Sequence, residues 1–149
     1  MYRYFVNNVY DDYTKFDDRL YKGYYAEDIA WEAPSIEAIQ PYYAEVDSIT
    51  LQTFRNYIAE TKREGIHLIL VSAPVYARAP QIVLNENEIF QLYVSLANQY
   101  DIPLLDYRNM SICGDTLYFH NVTHLNRKGA EIFSAQLAHD LDSLGLIKR

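Results

Sequence analysis

The sequence predicts a single α/β domain with parallel strands, on three observations. Two short apolar runs, 66–72 and 102–106, are each closed by loop-forming residues. Segments with helical apolar spacing alternate with these runs, in the order helix, strand, helix, strand, helix. That order is typical of parallel strands joined by right-handed crossovers. A chain of 149 residues, half of them apolar, is long enough for one such core and too short for two.

The first helix is predicted to begin near Ser48, with Asp47 or Ser48 as its N-cap and Gly65 just past its end. Four apolar residues at helical spacing should form its inner face: Ile49, Leu51, Phe54 and Ile58.

The second helix is predicted after the loop that contains Pro74 and Pro80. Asn85 and Glu88 have the spacing of a capping box at its start. Its inner face should consist of Ile89, Leu92, Leu96 and Tyr100. The last helix should begin near Asn126, stop at Gly145 and bury Ala130, Phe133, Leu137, Leu141 and Leu144.

The two strands are predicted at 66–72 and 102–106, and the first has the near-continuous apolar character of a strand buried on both faces. Two parallel strands alone leave faces and edges uncovered. Residues 1–45 hold nine of the 15 tyrosines and Trp31, and they are predicted to form an irregular or covering segment beside the core at 46–149. We expect the missing strands from that segment, from a second copy pairing at the sheet edge as a homo-oligomer, or from further chain of a longer protein.

Composition excludes several classes of function. The net charge is -7, with 13 basic and 20 acidic residues, so a nucleic-acid partner is not expected. No apolar run reaches the ~18 residues of a membrane span, and the first residues lack the apolar core of a signal peptide. The single cysteine, Cys113, is interpreted as a small buried hydrophobe. No cofactor is expected. The compartment stays open, with the cell envelope implied if the chain belongs to a longer exported protein.

His124 is the candidate general base, because imidazole titrates near neutrality and a helix follows directly. Asn121, three residues before it, is placed to orient the ring without supplying charge. Asp115 or Asp106 would be the alternative acid. The competing interpretation of His124 is a polar residue that packs at a helix start.

Loops at the carboxyl ends of parallel strands usually meet the ligand. Here these are 72–78, 106–109 and 115–124, and among their residues Ser72 and Arg78 are the candidates for substrate contact. Ser72 lacks the helix-entry turn that exposes a nucleophile, so it is interpreted as structural. His120 and His124 are four residues apart, but without a glutamate between them or a third ligand they predict no metal site.

The segments 66–74, 102–107 and 118–137 together resemble the C-terminal part of the SGNH, or GDSL-like, hydrolase superfamily, especially its bacterial polysaccharide O-acylation branch. The resemblance implies a three-layer, flavodoxin-like parallel sheet, here apparently incomplete. It also implies an Asp-x-x-His motif before the last helix, with His124 as the base and Asn121 in the position of the acid. The following residues of the pattern match Leu125, Asn126, Gly129 and Ala130.

The family's nucleophilic serine, in a Gly-Asp-Ser-like turn, has no counterpart here. Gly114-Asp115-Thr116 lies ten residues before His124 and is discounted. The resemblance therefore implies the C-terminal part of an esterase or carbohydrate O-acyltransferase, acting on an ester or glycan and inactive alone. The alternative is a non-catalytic glycan-binding or assembly module derived from the same fold.

Overall fold

The computed structural model describes residues 20–21, 24–25, 28–32 and 38–146. A short antiparallel ladder pairs β1 (Leu20–Tyr21) with β2 (Tyr24–Tyr25). The main elements that follow are α1 (Ser48–Arg63), β3 (Leu70–Ser72), α2 (Glu86–Tyr100), β4 (Leu104–Asp106) and α3 (Arg127–Ser143). Short 3₁₀ turns lie at Ala79–Gln81, Ser111–Gly114 and Thr116–Tyr118. Helices and strands thus alternate from residue 48 onward as predicted, in agreement with the α/β class.

β3 and β4 pair in parallel, as predicted, with Val71 opposite Leu105. Both strands are shorter than the apolar runs that predicted them. The prediction that the first strand is buried on both faces is wrong, because the Val71 side chain is 40% exposed. Within the described ranges β3 has a strand neighbour on one side only, β4. No further strand formed by the described residues widens the parallel sheet at the other edge of β3.

The tyrosine-rich segment, residues 1–45, lies largely outside the described residues. The prediction that it covers the core or supplies strands is therefore tested only in part. The part of it that is described adds no strand to the β3–β4 sheet, since β1 and β2 form a separate pair. Residues 28–32 lie instead beside the C-terminal loops. There the Glu32 N–H donates to the His120 carbonyl at 3.0 Å, and Trp31 packs against Ala79 and Val122.

α1 begins and ends where the sequence predicts. The Asp47 carboxylate accepts hydrogen bonds from the N–H and the hydroxyl of Thr50, both at 2.7 Å, and these bonds lower the pKa of Asp47. Gly65 follows the helix with φ of 68°. The predicted inner face of α1 is wrong at Ile49, which is 75% exposed, and right at Ile58, which is fully buried. The two residues are about two and a half turns apart and so lie on opposite faces of the helix.

Asn85 occupies the predicted N-cap position of α2, but the predicted capping box is wrong, because the Asn85 side chain caps no helical N–H. Its Oδ1 accepts from the Ala44 N–H and its Nδ2 donates to the Ala44 carbonyl, both at 2.9 Å. The Tyr42 backbone also bonds to Ile82 and Leu84 nearby. Asn85 therefore fastens the segment ahead of α1 to the start of α2.

α3 begins after Asn126, whose Oδ1 accepts from the Gly129 N–H at 3.1 Å. The helix packs on Tyr107, the residue that follows β4. The centres of the Tyr107 and Phe133 rings are 5.2 Å apart in an edge-on contact, and the Tyr107 hydroxyl donates to the Asp140 carboxylate at 2.9 Å. Leu144 was predicted to be buried but is 58% exposed. It is the C-cap residue and lies beyond the turns that rest on Tyr107.

Cys113 is buried at 4% exposure, as predicted, and burial raises the pKa of its thiol. Among the residues described here, no helix combines the length and the apolar character needed to cross a membrane.

Candidate functional site

The candidate site is built on the loop of residues 118–126, the histidine loop. Its backbone folds back on itself, because the His120 N–H donates to the His124 carbonyl at 2.9 Å and the Asn126 N–H to the Tyr118 carbonyl at 3.1 Å. Phe119, which is fully buried, and Val122, which is 6% exposed, anchor the loop in the core. His124 lies on the exposed side of the loop. The ring is thus carried on a fixed backbone and faces solvent.

The side-chain oxygen of Asn121 is the centre of this loop. It accepts from the backbone N–H groups of Thr123 at 3.1 Å and His124 at 3.0 Å. The same oxygen lies 2.8 Å from Nδ1 of the His124 ring. Asn121 and His124 are therefore in contact, as their Asp-x-x-His-like spacing predicts.

These bonds determine which ring nitrogen carries the proton. An asparagine amide can in principle present either its oxygen or its NH₂ group. Here the two backbone donors require the oxygen on the side that faces the loop. Nδ1 must then be the donor to that oxygen, so the neutral ring of His124 has its proton on Nδ1 and its lone pair on Nε2. That is the tautomer a general base needs.

Gly129 allows the first turn of α3 to approach the histidine loop closely. A Cβ atom at this position would overlap the carbonyl oxygen of Tyr118, which accepts the Asn126 N–H that closes the loop. The Asn126 side chain also donates to the Leu117 carbonyl at 2.8 Å. Glycine, which has no Cβ atom, is therefore the residue that fits at position 129 without displacing the Tyr118 carbonyl.

The loops predicted to converge do meet. The Tyr76 N–H donates to the Val122 carbonyl at 3.0 Å, and the Ala77 N–H to the Cys113 carbonyl at 2.8 Å. The Tyr107 N–H also donates to the Ser72 carbonyl at 2.9 Å. The loops after β3, after β4 and before α3 are therefore joined by backbone hydrogen bonds at one end of the sheet.

The other predicted site residues have local partners. Asp115 caps the 3₁₀ turn that follows it, accepting from the Leu117 N–H at 2.9 Å. Arg78 donates to Gln81 at 3.1 Å. Ser72 lines a cavity of about 190 Å³ between the sheet and the helices, together with Phe54, Phe90 and Tyr93. None of these described contacts brings Asp115, Arg78 or Ser72 to the His124 ring.

Asp106, the other carboxylate considered as an acid, is held by Arg108. Two hydrogen bonds of 2.9 and 2.8 Å join the carboxylate to the guanidinium, and they lower the pKa of Asp106. The guanidinium also lies 3.2 Å from the centre of the Phe90 ring. This pair stabilises the turn after β4 and leaves orientation of His124 to Asn121.

An open pocket of about 500 Å³ adjoins the start of α3 and was not predicted. Charged side chains and an aromatic ring line it, among them Asp28, Trp31, Asp115 and Lys128. No group of three metal-ligating side chains occurs within the described ranges.

Two further residues with defined polar contacts were not predicted from the sequence. Thr123 places its hydroxyl 3.1 Å from Nδ1 of His124. Its one sequence signal is the position two residues after an asparagine, where an Asx turn forms. Arg108 is two residues after Asp106, a spacing that carries no distinctive signal.

Comparison with protein-family models, with curated proteins and with solved structures finds no match to this chain.

Gly129→Ala should displace the histidine loop, because the new methyl group cannot share space with the Tyr118 carbonyl. We expect a loss of about 1–3 kcal/mol in unfolding free energy, measured by urea denaturation, with backbone amide shifts concentrated at 118–126. Gly114→Ala is the matched control, since a Cβ there meets no atom within 4 Å. Equal stability of the two variants would contradict the steric role of Gly129.

Proposed function

We propose that this chain is the base-bearing, C-terminal part of an SGNH-type esterase or carbohydrate O-acyltransferase. The observation that supports the proposal most is the 2.8 Å contact between Asn121 Oδ1 and Nδ1 of His124, which leaves the Nε2 lone pair directed away from the loop. In this proposal His124 takes the proton of a serine hydroxyl as it attacks an ester carbonyl. The ester C–O bond breaks, the alcohol leaves with the proton from His124, and an acyl-enzyme remains, from which water or a sugar hydroxyl then accepts the acyl group.

The nucleophile is proposed to lie in sequence outside these 149 residues. The hydrogen bonds that the described side chains make to the His124 ring all go to Nδ1, from Asn121 and Thr123. Nε2 is the atom that would receive the serine proton. The scaffold proposed for the complete site is a three-layer, flavodoxin-like sheet in which β3 and β4 are neighbouring strands and a further strand pairs with the edge of β3 that has no strand neighbour among the described residues.

Hydrolysis of p-nitrophenyl acetate tests this proposal. This chain alone should show no turnover. The complete product of the gene, with any residues encoded before Met1, should hydrolyse the ester. His124→Ala should lower kcat about a hundredfold to ten-thousandfold, the usual contribution of a general base. His139→Ala, an exposed histidine on α3, is the control and should retain activity.

Three results would count against the proposal. Turnover by this chain alone that is lost in His124→Ala would place the nucleophile within it. Activity of the complete product that survives His124→Ala would remove His124 as the base. A complete product without any turnover would favour a binding function.

The pocket at the start of α3 supports a second candidate, a glycan-binding module. Trp31 supplies aromatic surface, the carboxylates of Asp28 and Asp115 accept hydrogen bonds, and Lys128 donates them. Sugar rings present apolar C–H faces and hydroxyl groups that match this combination. The candidate does not depend on His124.

The chain has one tryptophan, so fluorescence of Trp31 reports directly on this pocket. Titration with β-1,4-linked tetramers of glucose and of N-acetylglucosamine should change its emission saturably. Asp115→Asn, which keeps an oxygen to cap the 3₁₀ turn, and Lys128→Gln should each weaken binding roughly fivefold, the worth of one hydrogen bond. Glu131→Gln, on an exposed position of α3, is the control. An unchanged spectrum with both sugars would contradict the glycan-binding candidate.

A further inference from the structure

Thr123 is an exposed residue of the histidine loop to which no motif assigns a role. Its hydroxyl oxygen lies 3.1 Å from Nδ1 of His124 and 3.4 Å from Oδ1 of Asn121. The three polar groups therefore form a closed triangle on the Nδ1 side of the ring. We propose that Thr123 is a positioning residue, which shares the Nδ1 proton of His124 with Asn121; its catalytic meaning rests on the proposed function.

The direction of each hydrogen bond in the triangle follows from Asn121. Its Oδ1 is committed as an acceptor by two backbone N–H groups, so Nδ1 of His124 is a donor. The Thr123 oxygen next to that donor must then accept. The Nδ1 proton is accordingly divided between an amide oxygen at 2.8 Å and a hydroxyl oxygen at 3.1 Å. The threonine proton is left to point to Oδ1 or to water.

This arrangement also excludes Thr123 as the nucleophile. A nucleophilic hydroxyl must give its proton to a basic ring nitrogen. Nδ1 already carries a proton, and the lone pair of His124 is on Nε2. Thr123 belongs to the orienting side of the histidine, the side that a carboxylate occupies in a Ser-His-Asp triad.

The second acceptor has a physical use at this exposed position. Water competes for Nδ1, and a single neutral acceptor gains little over water. Two acceptors on one side hold the ring more firmly, and the β-branched side chain of Thr123 has few rotamers to lose. Because neither partner is charged, the pair orients the ring but does not stabilise an imidazolium as a carboxylate would.

The test compares Thr123→Val, which keeps the shape and removes the hydroxyl, with Thr123→Ser, which keeps the hydroxyl. The readout is the ¹⁵N chemical shift of both ring nitrogens of His124 in the neutral ring, measured by NMR on the 149-residue chain. We expect the ratio of the Nδ1–H to the Nε2–H tautomer to fall about threefold to tenfold in Thr123→Val, the worth of one hydrogen bond. Thr123→Ser should stay near the original ratio.

Thr123→Ala provides the same deletion without a branched side chain and should match Thr123→Val. An unchanged ratio in both variants that lack the hydroxyl, with the fold intact by amide dispersion, would overturn the proposal. An equal fall in Thr123→Ser would also overturn it, since that loss would come from packing. The measurement needs no turnover, so failure of the proposed esterase function and failure of this inference remain distinguishable.

Discussion

The hydrogen-bonding capacity of one atom, Oδ1 of Asn121, is the constraint on which the histidine loop depends. The atom accepts from two backbone N–H groups and also faces Nδ1 of His124 at 2.8 Å. The same oxygen thus shapes the turn and selects the tautomer of the ring. A carboxylate in this position would do both and add a negative charge. An amide in this position orients the ring as a carboxylate would but supplies no charge to stabilise an imidazolium.

The rest of the structure holds the histidine loop in position mainly by close packing, because the parallel sheet is small. The parallel sheet formed by the described residues has only β3 and β4, and Val71 on β3 is partly exposed. Backbone bonds from Tyr76 to Val122 and from Ala77 to Cys113 nevertheless join the loops at its carboxyl end. The buried side chain of Phe119 and the close approach of Gly129 to the Tyr118 carbonyl hold the histidine loop against the core.

The sequence predicted those features that are set by local chemistry. The ends of α1 follow from Asp47 and Gly65, and contact between Asn121 and His124 follows from their spacing within a turn. Features set by partners distant in the chain were not predicted. Asn85 has the spacing of a cap, yet its amide bonds to Ala44, 41 residues away. Exposure of Val71 depends on which segments pack on its face of the sheet, which an apolar run does not reveal. The 3.1 Å distance between the Thr123 hydroxyl and Nδ1 of His124 depends on the conformation of the loop, which no residue pattern encodes.

Neutron diffraction from deuterium-exchanged crystals is the most direct test of the amide orientation of Asn121 and of the tautomer of His124. It distinguishes the oxygen of the Asn121 amide from its nitrogen and locates the deuterium on the His124 ring. We expect the amide oxygen towards the ring, deuterium on Nδ1, and Nε2 without deuterium in the neutral ring. An amide nitrogen facing Nδ1, with deuterium on Nε2, would contradict this assignment, because the lone pair of the ring would then lie on Nδ1 and Nε2 could not accept a proton.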